Sequence, residues 1–251
     1  MRISSIYKLL ALVALAGAAP ALLAEKETPI HNWTNHAQVA REVINHFEEL
    51  KSLQGNFQIQ TTGGSGARQM SGRFYYQKPD KIRYEFSSPA GNLIVSNGST
   101  MWYYIRRRNL VGKQDLRIQK KNSSGQAIFV SGVVSGLSRL FRMYHYHFDT
   151  PEQPRQIDGE KTFVLSMKQR TRIGGYEELT LFVDAEKYFV RKAIGNDGYG
   201  KQSTIQFSNL QANPQLEGKL FQFQADDNVR VVNNPFVADD RDQQTEASTE
   251  E

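Results

Sequence analysis

The sequence predicts a mainly β fold of the α+β class: an open antiparallel β half-barrel with an α-helical lid. Apolar and polar residues alternate along many short segments, and clusters of glycine, proline, asparagine and aspartate separate these segments, as in an antiparallel meander. Two longer segments instead carry apolar residues at helical spacing. The chain has 251 residues, 39% of them hydrophobic, which suffices for the core of one β domain.

The N-terminal segment, residues 1–24, has the three parts of a secretory signal peptide. Arg2 and Lys8 precede a short apolar run, and small residues then lead to cleavage sites after Ala21 or Ala24. The apolar run is shorter than the roughly 20 residues that a membrane-spanning helix needs. We therefore expect an exported, soluble protein.

Charge is distributed unevenly over the rest of the chain. Residues 239–251 hold six acidic side chains and one arginine, and this acidic tail without aromatic residues is predicted to be disordered. Residues 25–238 are predicted to form one domain with a basic excess, which favours acidic partners or anionic surfaces. The chain contains no cysteine, which excludes disulfides, thiolate metal sites, a cysteine nucleophile and a lipidated N-terminal cysteine.

Two amphipathic helices are predicted. The first runs from Asn35, a suitable N-cap, to Leu53, and its apolar stripe includes Val43 and Phe47. The second runs over 126–143, where two internal glycines weaken it by about 1 kcal/mol each relative to alanine. An apolar but weakened helix inside a sheet protein is a candidate for a movable cover.

The remaining segments alternate with a period of two. Asn97-Gly98 is typical of a type I′ hairpin turn, and the basic stretch 106–124 is predicted to be a polar insert in the meander. The predicted strands are 57–60, 68–77, 82–86, 93–96, 101–105, 144–148, 163–169, 177–183, 189–196 and 202–209, with short closing pieces at 221–223 and 229–232.

Residue patterns that support catalysis are weak. The sequence contains no G-x-S-x-G elbow, and Glu177 and Glu178 are adjacent in a strand, so they point to opposite faces. His145 and His147 share one strand face, a spacing that could hold a metal, but no third ligand is suggested. We therefore predict no enzymatic activity, no catalytic residue, no metal and no cofactor, and the secretory leader disfavours a nucleic-acid partner.

One face of most central strands is apolar. Ile82, Tyr84 and Phe86, for example, alternate with charged neighbours. A filled core is one interpretation of this pattern. A broad sheet with two apolar helices also fits a half-barrel with a lid, and wider barrels leave room for a ligand instead of filling themselves with side chains.

Two series of motifs carry a resemblance to a known family. The first is Gly72-Arg73-Phe74, Lys78-Pro79, the strand 82–86, Pro89, Ile94-Val95-Ser96-Asn97-Gly98 and Trp102-Tyr103. The second is Leu181 to Asp184, Arg191-Lys192, the strand 204–209, and Phe221-Gln222-Phe223 before Val229 and Val231. By their order and spacing over roughly residues 35–233, the chain resembles the LolA family, periplasmic carriers of lipoproteins to the outer membrane.

The resemblance implies the family's fold and function. The expected function is a periplasmic chaperone that binds the acyl chains of lipoproteins in a hydrophobic cavity and moves them from the inner to the outer membrane. The expected partners are acylated lipoproteins, an inner-membrane lipoprotein-releasing transporter and an outer-membrane acceptor, with a monomeric carrier. Where the family has an arginine implicated in lid closure, this chain has Lys78, which keeps the charge but loses the planar fork.

These considerations give three sets of expected site residues. The acyl cavity is predicted at Ile82, Tyr84, Phe86, Phe163, Leu165, Leu181, Ile205 and Phe207. The lid is predicted at Val43, Phe47, Ile128, Phe129, Val133 and Leu137, and the lid hinge at Lys78. Three alternatives stay open: a LolA-like protein that binds or senses another envelope lipid, an envelope hydrolase, and a structural envelope protein with a packed interior.

Overall fold

The fold was obtained as a computed structural model. It describes residues 35–63, 66–116, 133–171, 175–225 and 228–234. In these ranges the chain forms two helices, α1 (His36–Glu49) and α2 (Val133–Met143), and thirteen strands. The strands are β1 (Ser52–Thr62), β2 (Arg68–Gln77), β3 (Lys81–Ser88), β4 (Leu93–Asn97), β5 (Thr100–Ile105), β6 (Leu110–Asp115), β7 (Tyr144–Phe148), β8 (Arg155–Ile157), β9 (Glu160–Gln169), β10 (Glu178–Asp184), β11 (Val190–Asn196), β12 (Gln202–Ala212) and β13 (Arg230–Asn233).

All the described strands belong to one sheet. Their order is β13-β6-β5-β4-β3-β2-β1-β12-β11-β10-β9-β7, and β8 pairs with β9. The neighbouring pairs are antiparallel except β13 and β6, which run parallel. The two end strands, β13 and β7, do not pair with each other, so the described sheet is open. The predicted mainly β, open architecture is confirmed.

The first helix begins where the sequence predicts and ends earlier. The Asn35 side-chain oxygen accepts a hydrogen bond from the backbone N–H of Gln38 at 2.8 Å, so Asn35 is the N-cap. The helix ends at Glu49, and the predicted end at Leu53 is wrong. Leu53 belongs to β1, because the alternation of apolar and polar residues that continues to Ile59 already includes it.

The sequence predicts a polar insert over 106–124, but the first part of this segment contains a strand of the sheet. Arg106–Arg108 form a short 3-10 turn, and β6 follows at once and pairs with β5. Leu110 and Val111 supply the apolar side chains for this strand, which the neighbouring arginines obscure in the sequence. Residues 117–124 lie outside the described residues.

The hairpin turn between β4 and β5 also differs from the expectation. A type I′ turn needs a positive φ at both central residues. Gly98 has a φ of 97°, but Asn97 is not among the residues with positive φ. The Asn97 side chain instead accepts hydrogen bonds from the backbone N–H groups of Ser99 and Thr100, at 3.0 and 2.9 Å. This side-chain bonding makes the turn without strain at Asn97.

The second predicted helix is described from Val133 onward, as α2. Residues 126–132, the leader 1–24 and the tail 239–251 lie outside the described residues. The strands predicted in the second half are present as β7, β9, β10, β11 and β12. Neither of the two described helices is long and apolar enough to cross a membrane.

The turn between β10 and β11 is organised by Asp184. Its carboxylate accepts backbone hydrogen bonds from Glu186 and Lys187 at 2.9 and 2.8 Å, and it pairs with the guanidinium of Arg191. Arg191 also pairs with Glu160 of β9. Burial alone raises the pKa of Asp184, but the two N–H donors and the arginine outweigh it, so the net pKa is lower than usual.

The segment after β12 crosses one face of the sheet, here called the outer face. Phe221 is buried there, and Phe223 lies against Trp102 of β5 with ring centroids 6.1 Å apart. Arg83 of β3 donates to the backbone carbonyl of Leu220 at 2.9 Å. The outer face is therefore partly covered by the chain's own C-terminal part, and the helices lie on the opposite face.

Candidate functional site

The face of the sheet that packs against α1 and α2, here called the inner face, carries the main hydrophobic core. Strand register places every one of the eight residues predicted for the cavity on this face. Leu181 lies opposite Leu165 on one side and Ala193 on the other, and Ala193 lies opposite Ile205. Seven of the eight are buried and Ile82 is partly buried. Their role in binding acyl chains stays a prediction.

Aromatic rings at the centre of the inner face meet across glycines. Phe74 of β2 and Phe207 of β12 are separated by β1, where Gly55 lies opposite Phe74, and their ring centroids are 5.5 Å apart. Phe57 of β1 and Phe86 of β3 likewise meet over Gly72 of β2, at 5.1 Å. Strands two positions apart are separated by about 9.6 Å. The glycines therefore allow these rings to close over the sheet.

Sequence reasoning missed three members of this aromatic cluster: Phe57, Phe74 and Tyr76. All three are buried on the inner face. Each lies in a segment predicted to be a strand, but only the register of Phe74 opposite Gly55 and of Phe57 opposite Gly72, and the contact of Tyr76 with Phe47, show that they reach the centre. A search for glycines between alternating aromatic residues would have indicated them.

Tyr84 lies inside this aromatic cluster with its hydroxyl buried. Its ring stacks on Phe74 at 5.9 Å and meets Phe57 edge-on at 5.2 Å. Among the residues described, its hydroxyl oxygen has no hydrogen-bond partner. Burial raises the pKa of Tyr84 well above its usual value, so the phenol keeps its proton.

The helix α1 covers the inner face. Val39, Ala40, Val43 and Phe47 are buried, and the Phe47 ring lies 5.0 Å from the ring of Tyr76 on β2. At the other end of the helix, His36 meets Tyr146 of β7 edge-on at 5.6 Å, and Phe148 at 6.0 Å. The two expected lid residues of α1, Val43 and Phe47, thus lie directly between the helix and the sheet.

The second helix packs beside the first. Leu137, Leu140 and Phe141 of α2 are buried, and α2 contacts both α1 and β7. Of the other lid residues predicted here, Val133 is the first residue of α2, and the placement of its side chain is not described. Ile128 and Phe129 lie outside the described residues.

Lys78, the predicted hinge, connects the sheet to the C-terminal end of α1. It follows β2 directly, and its side-chain ammonium donates a hydrogen bond to the backbone carbonyl of Glu48 in the last turn of α1. Its backbone N–H donates to the carbonyl of Lys51 at 2.9 Å. A cation at this end of a helix meets both the unpaired carbonyls and the negative end of the helix dipole. Lys78 therefore fastens α1 to β2.

The sequence model of the family described as "Outer membrane lipoprotein carrier protein LolA" matches residues 48–224, more than half of the chain. The chain belongs to the LolA family. The match covers β1 to β12 and stops before β13, and all but the last two residues of α1 precede it. The resemblance expected from the motifs is confirmed.

Individual relatives agree with the family match. The chain is 27% identical to the "Outer-membrane lipoprotein carrier protein" of Bordetella avium over 188 residues, 73% of this chain and 82% of that protein. It is 25% identical to the protein of the same name from Methylococcus capsulatus over 179 residues, 70% and 78% of the two chains. A structure of an uncharacterized conserved protein from Thermus thermophilus is similar in fold, with a TM-score of 0.52 and 12% identity over 78% of this chain and 98% of that chain.

The space around α1 in this LolA-family structure is narrow. A crevice beside the helix, lined by Val43, His46, Phe47, Leu50, Tyr188 and Phe189, has no room for a water molecule. A second pocket has a volume of about 90 Å³ and is lined by both apolar and polar residues: Lys187, Phe189, Arg191, Phe207, Ser208, Asn209 and Leu210. Ligand pockets are typically about 300–1,000 Å³. These two spaces among the described residues are therefore smaller than a typical ligand pocket.

No group of three or more metal-binding side chains occurs within the described ranges. His145 and His147 are exposed on β7, on the face opposite to the buried Tyr144. Their position is that of ordinary surface residues on a strand at the edge of the sheet. The features that distinguish this LolA-family site are therefore apolar contact area and one buried hydroxyl, that of Tyr84, without a hydrogen-bond partner among the described residues.

Proposed function

We propose that this protein is a periplasmic carrier that binds the acyl chains of lipoproteins on its inner face and transfers them from the inner to the outer membrane, without catalysis. The observation that carries the proposal is an inner face made of apolar side chains from most strands of a LolA-family sheet, closed by two helices. The relatives named as lipoprotein carriers support it. The leader predicted at 1–24 would supply export.

The apolar contact made by the α1 side chains is comparable in free energy to burying one acyl chain, which would cover the sheet side of the same contact. Lifting the helix exposes Val39, Val43 and Phe47, each worth about 1.5–3 kcal/mol, or roughly 5–9 kcal/mol together. An acyl chain of about 14 carbons gains roughly 11 kcal/mol at about 0.8 kcal/mol per methylene. Cargo can therefore replace the helix on the inner face with a modest net gain, as a carrier that must also release its cargo requires.

The proposed partners follow from the same exchange. A lipoprotein leaving the inner membrane needs its acyl chains covered, so an inner-membrane lipoprotein-releasing transporter would load the carrier. An outer-membrane acceptor would receive the chains when α1 closes again. The chain has no cysteine for a lipid anchor, which suits a monomeric carrier that diffuses between the two membranes.

Binding is tested with a purified acylated lipoprotein and the same lipoprotein after removal of its acyl chains. We expect a one-to-one complex with the acylated form in native mass spectrometry and none with the deacylated form. Ile82→Gln, on the inner face, should weaken the complex about tenfold, because it replaces apolar contact area with an amide. Lys81→Gln, on the outer side of the same strand, is the matched control and should bind normally.

A second experiment tests the route. Depletion of the protein in its native host should leave lipoproteins in the inner membrane, measured by fractionating the two membranes. Equal binding of acylated and deacylated lipoprotein would contradict the proposal. Co-purification of a different envelope lipid, with normal lipoprotein sorting after depletion, would favour the alternative of a LolA-like protein for that lipid.

A further inference from the structure

The hydroxyl of Tyr84 lies in surroundings that offer it no partner among the described residues. On β3, Tyr84 is opposite Phe74 of β2 and Ile94 of β4, and the ring of Phe57 lies against it. The residue is 1% exposed, so bulk water does not reach it. An apolar environment strengthens any hydrogen bond that forms there and makes an unformed one costly.

Other buried tyrosines of the described chain do have partners. The Tyr144 hydroxyl donates to the carbonyl of Tyr176 at 2.6 Å and accepts from the Gln169 amide at 3.2 Å. The Tyr76 hydroxyl faces the carbonyl of Pro79 at 3.5 Å. Phenylalanine would fill the place of Tyr84 without leaving a hydroxyl unsatisfied. The Tyr84 hydroxyl destabilises the closed structure because it is buried without a hydrogen-bond partner among the described residues. Its presence is explained if it forms a hydrogen bond when a ligand is bound.

We infer that the Tyr84 hydroxyl donates a hydrogen bond to an ester carbonyl of the bound acyl chain, so that the inner face selects ester-linked acyl groups. This rests on the proposed function, because it assumes that acyl chains reach the inner face when α1 opens. The carbonyl of an acyl ester is a neutral acceptor that an acyl chain brings into an otherwise apolar site.

The acceptor has to be neutral. Among the described residues, Phe57, Phe74 and Ile94 lie against or opposite Tyr84, and none of them carries a charge to compensate an anion. An ionised carboxylate or phosphate would lose its hydration there without an ion partner, at a cost that one phenol cannot offset. The carbonyl of an ester loses far less on leaving water, so it fits where a headgroup phosphate does not.

The test compares two synthetic lipopeptides that differ only at the linkage. One carries two ester-linked hexadecanoyl chains on its glycerol, and the other carries two ether-linked hexadecyl chains. We expect the wild-type protein to bind the ester about fivefold more tightly, which is about 1 kcal/mol. In Tyr84→Phe this preference should disappear, with the affinity for the ether unchanged.

A stability measurement accompanies the binding assay. Without lipid, Tyr84→Phe should unfold at the same or a higher urea concentration than wild type, because an unsatisfied hydroxyl is removed. Tyr144→Phe is the matched control: it loses two hydrogen bonds, so it should unfold at a lower urea concentration and keep the ester preference.

The possible results distinguish a failure of the Tyr84 inference from a failure of the proposed carrier function. Equal wild-type affinity for ester and ether, or an ester preference that survives in Tyr84→Phe, overturns the role of Tyr84 and leaves the carrier function standing. An equal loss of affinity for both lipids in Tyr84→Phe shows a packing role and also overturns the inference. Wild-type protein that binds neither lipopeptide contradicts the proposed function itself.

Discussion

Replacing Lys78 with methionine should loosen α1 without disturbing the sheet. The change removes the ammonium that donates to the Glu48 carbonyl and keeps the length of the side chain. Lys78 is exposed, so its interaction with the helix end is screened by water, and we assign it about 0.5–1 kcal/mol. The population in which α1 is detached from the sheet should therefore rise about two- to fivefold.

Native-state hydrogen exchange measures this directly. The amides of α1 around Val43 and Phe47 should exchange about two- to fivefold faster in Lys78→Met, while those of β9 and β10 should be unchanged. Lys81→Met is the matched control, since this lysine begins β3, three residues beyond the contact with the helix. Lys78→Arg should keep wild-type protection, because its planar fork can also donate to helix carbonyls. If α1 exchanges at the wild-type rate in Lys78→Met, Lys78 does not fasten the helix.

Three further predictions concern the scaffold, each measured by urea denaturation. Asp184→Asn should lower the free energy of unfolding by about 1.5–3 kcal/mol at pH 7. Because the pKa of Asp184 is lowered in the folded state, this difference from wild type should shrink below about pH 4. A difference that persists at low pH would contradict this role of Asp184. Gly112→Ala should destabilise, since its new Cβ would lie 1.9 Å from the Tyr103 ring, and an unchanged midpoint would contradict that contact. Phe221→Ala should cost about 3–5 kcal/mol, and a loss under about 1 kcal/mol would show that the segment over the outer face is not anchored there.

The parts of the fold that local pattern controls were predictable. The strands with clear alternation, such as β3 and β10, appear where the sequence places them. Because side chains alternate strictly along a strand, the same pattern also placed Leu165, Leu181 and Ile205 on one common face. The N-cap at Asn35 was equally readable, since its side chain bonds only three residues away.

The features that escaped prediction depend on contacts distant in sequence. Strand β6 was hidden by its arginine neighbours, and its partner β13 lies more than a hundred residues further along the chain. Lys78 could be singled out by resemblance, but its bond to Glu48 needed the position of α1. The unpartnered state of the Tyr84 hydroxyl within the described chain is a property of everything around it, which no local pattern contains.

The parallel pairing of β13 with β6 has a practical consequence for anyone who shortens the chain. The family match ends at residue 224, and a protein cut there would lose β13. The backbone N–H and C=O groups of β6 that now pair with β13 would then be unpaired and exposed to solvent. Such an exposed edge can pair with a strand of another molecule. Self-association of such a shortened protein would therefore come from the loss of β13 and not from its hydrophobic core.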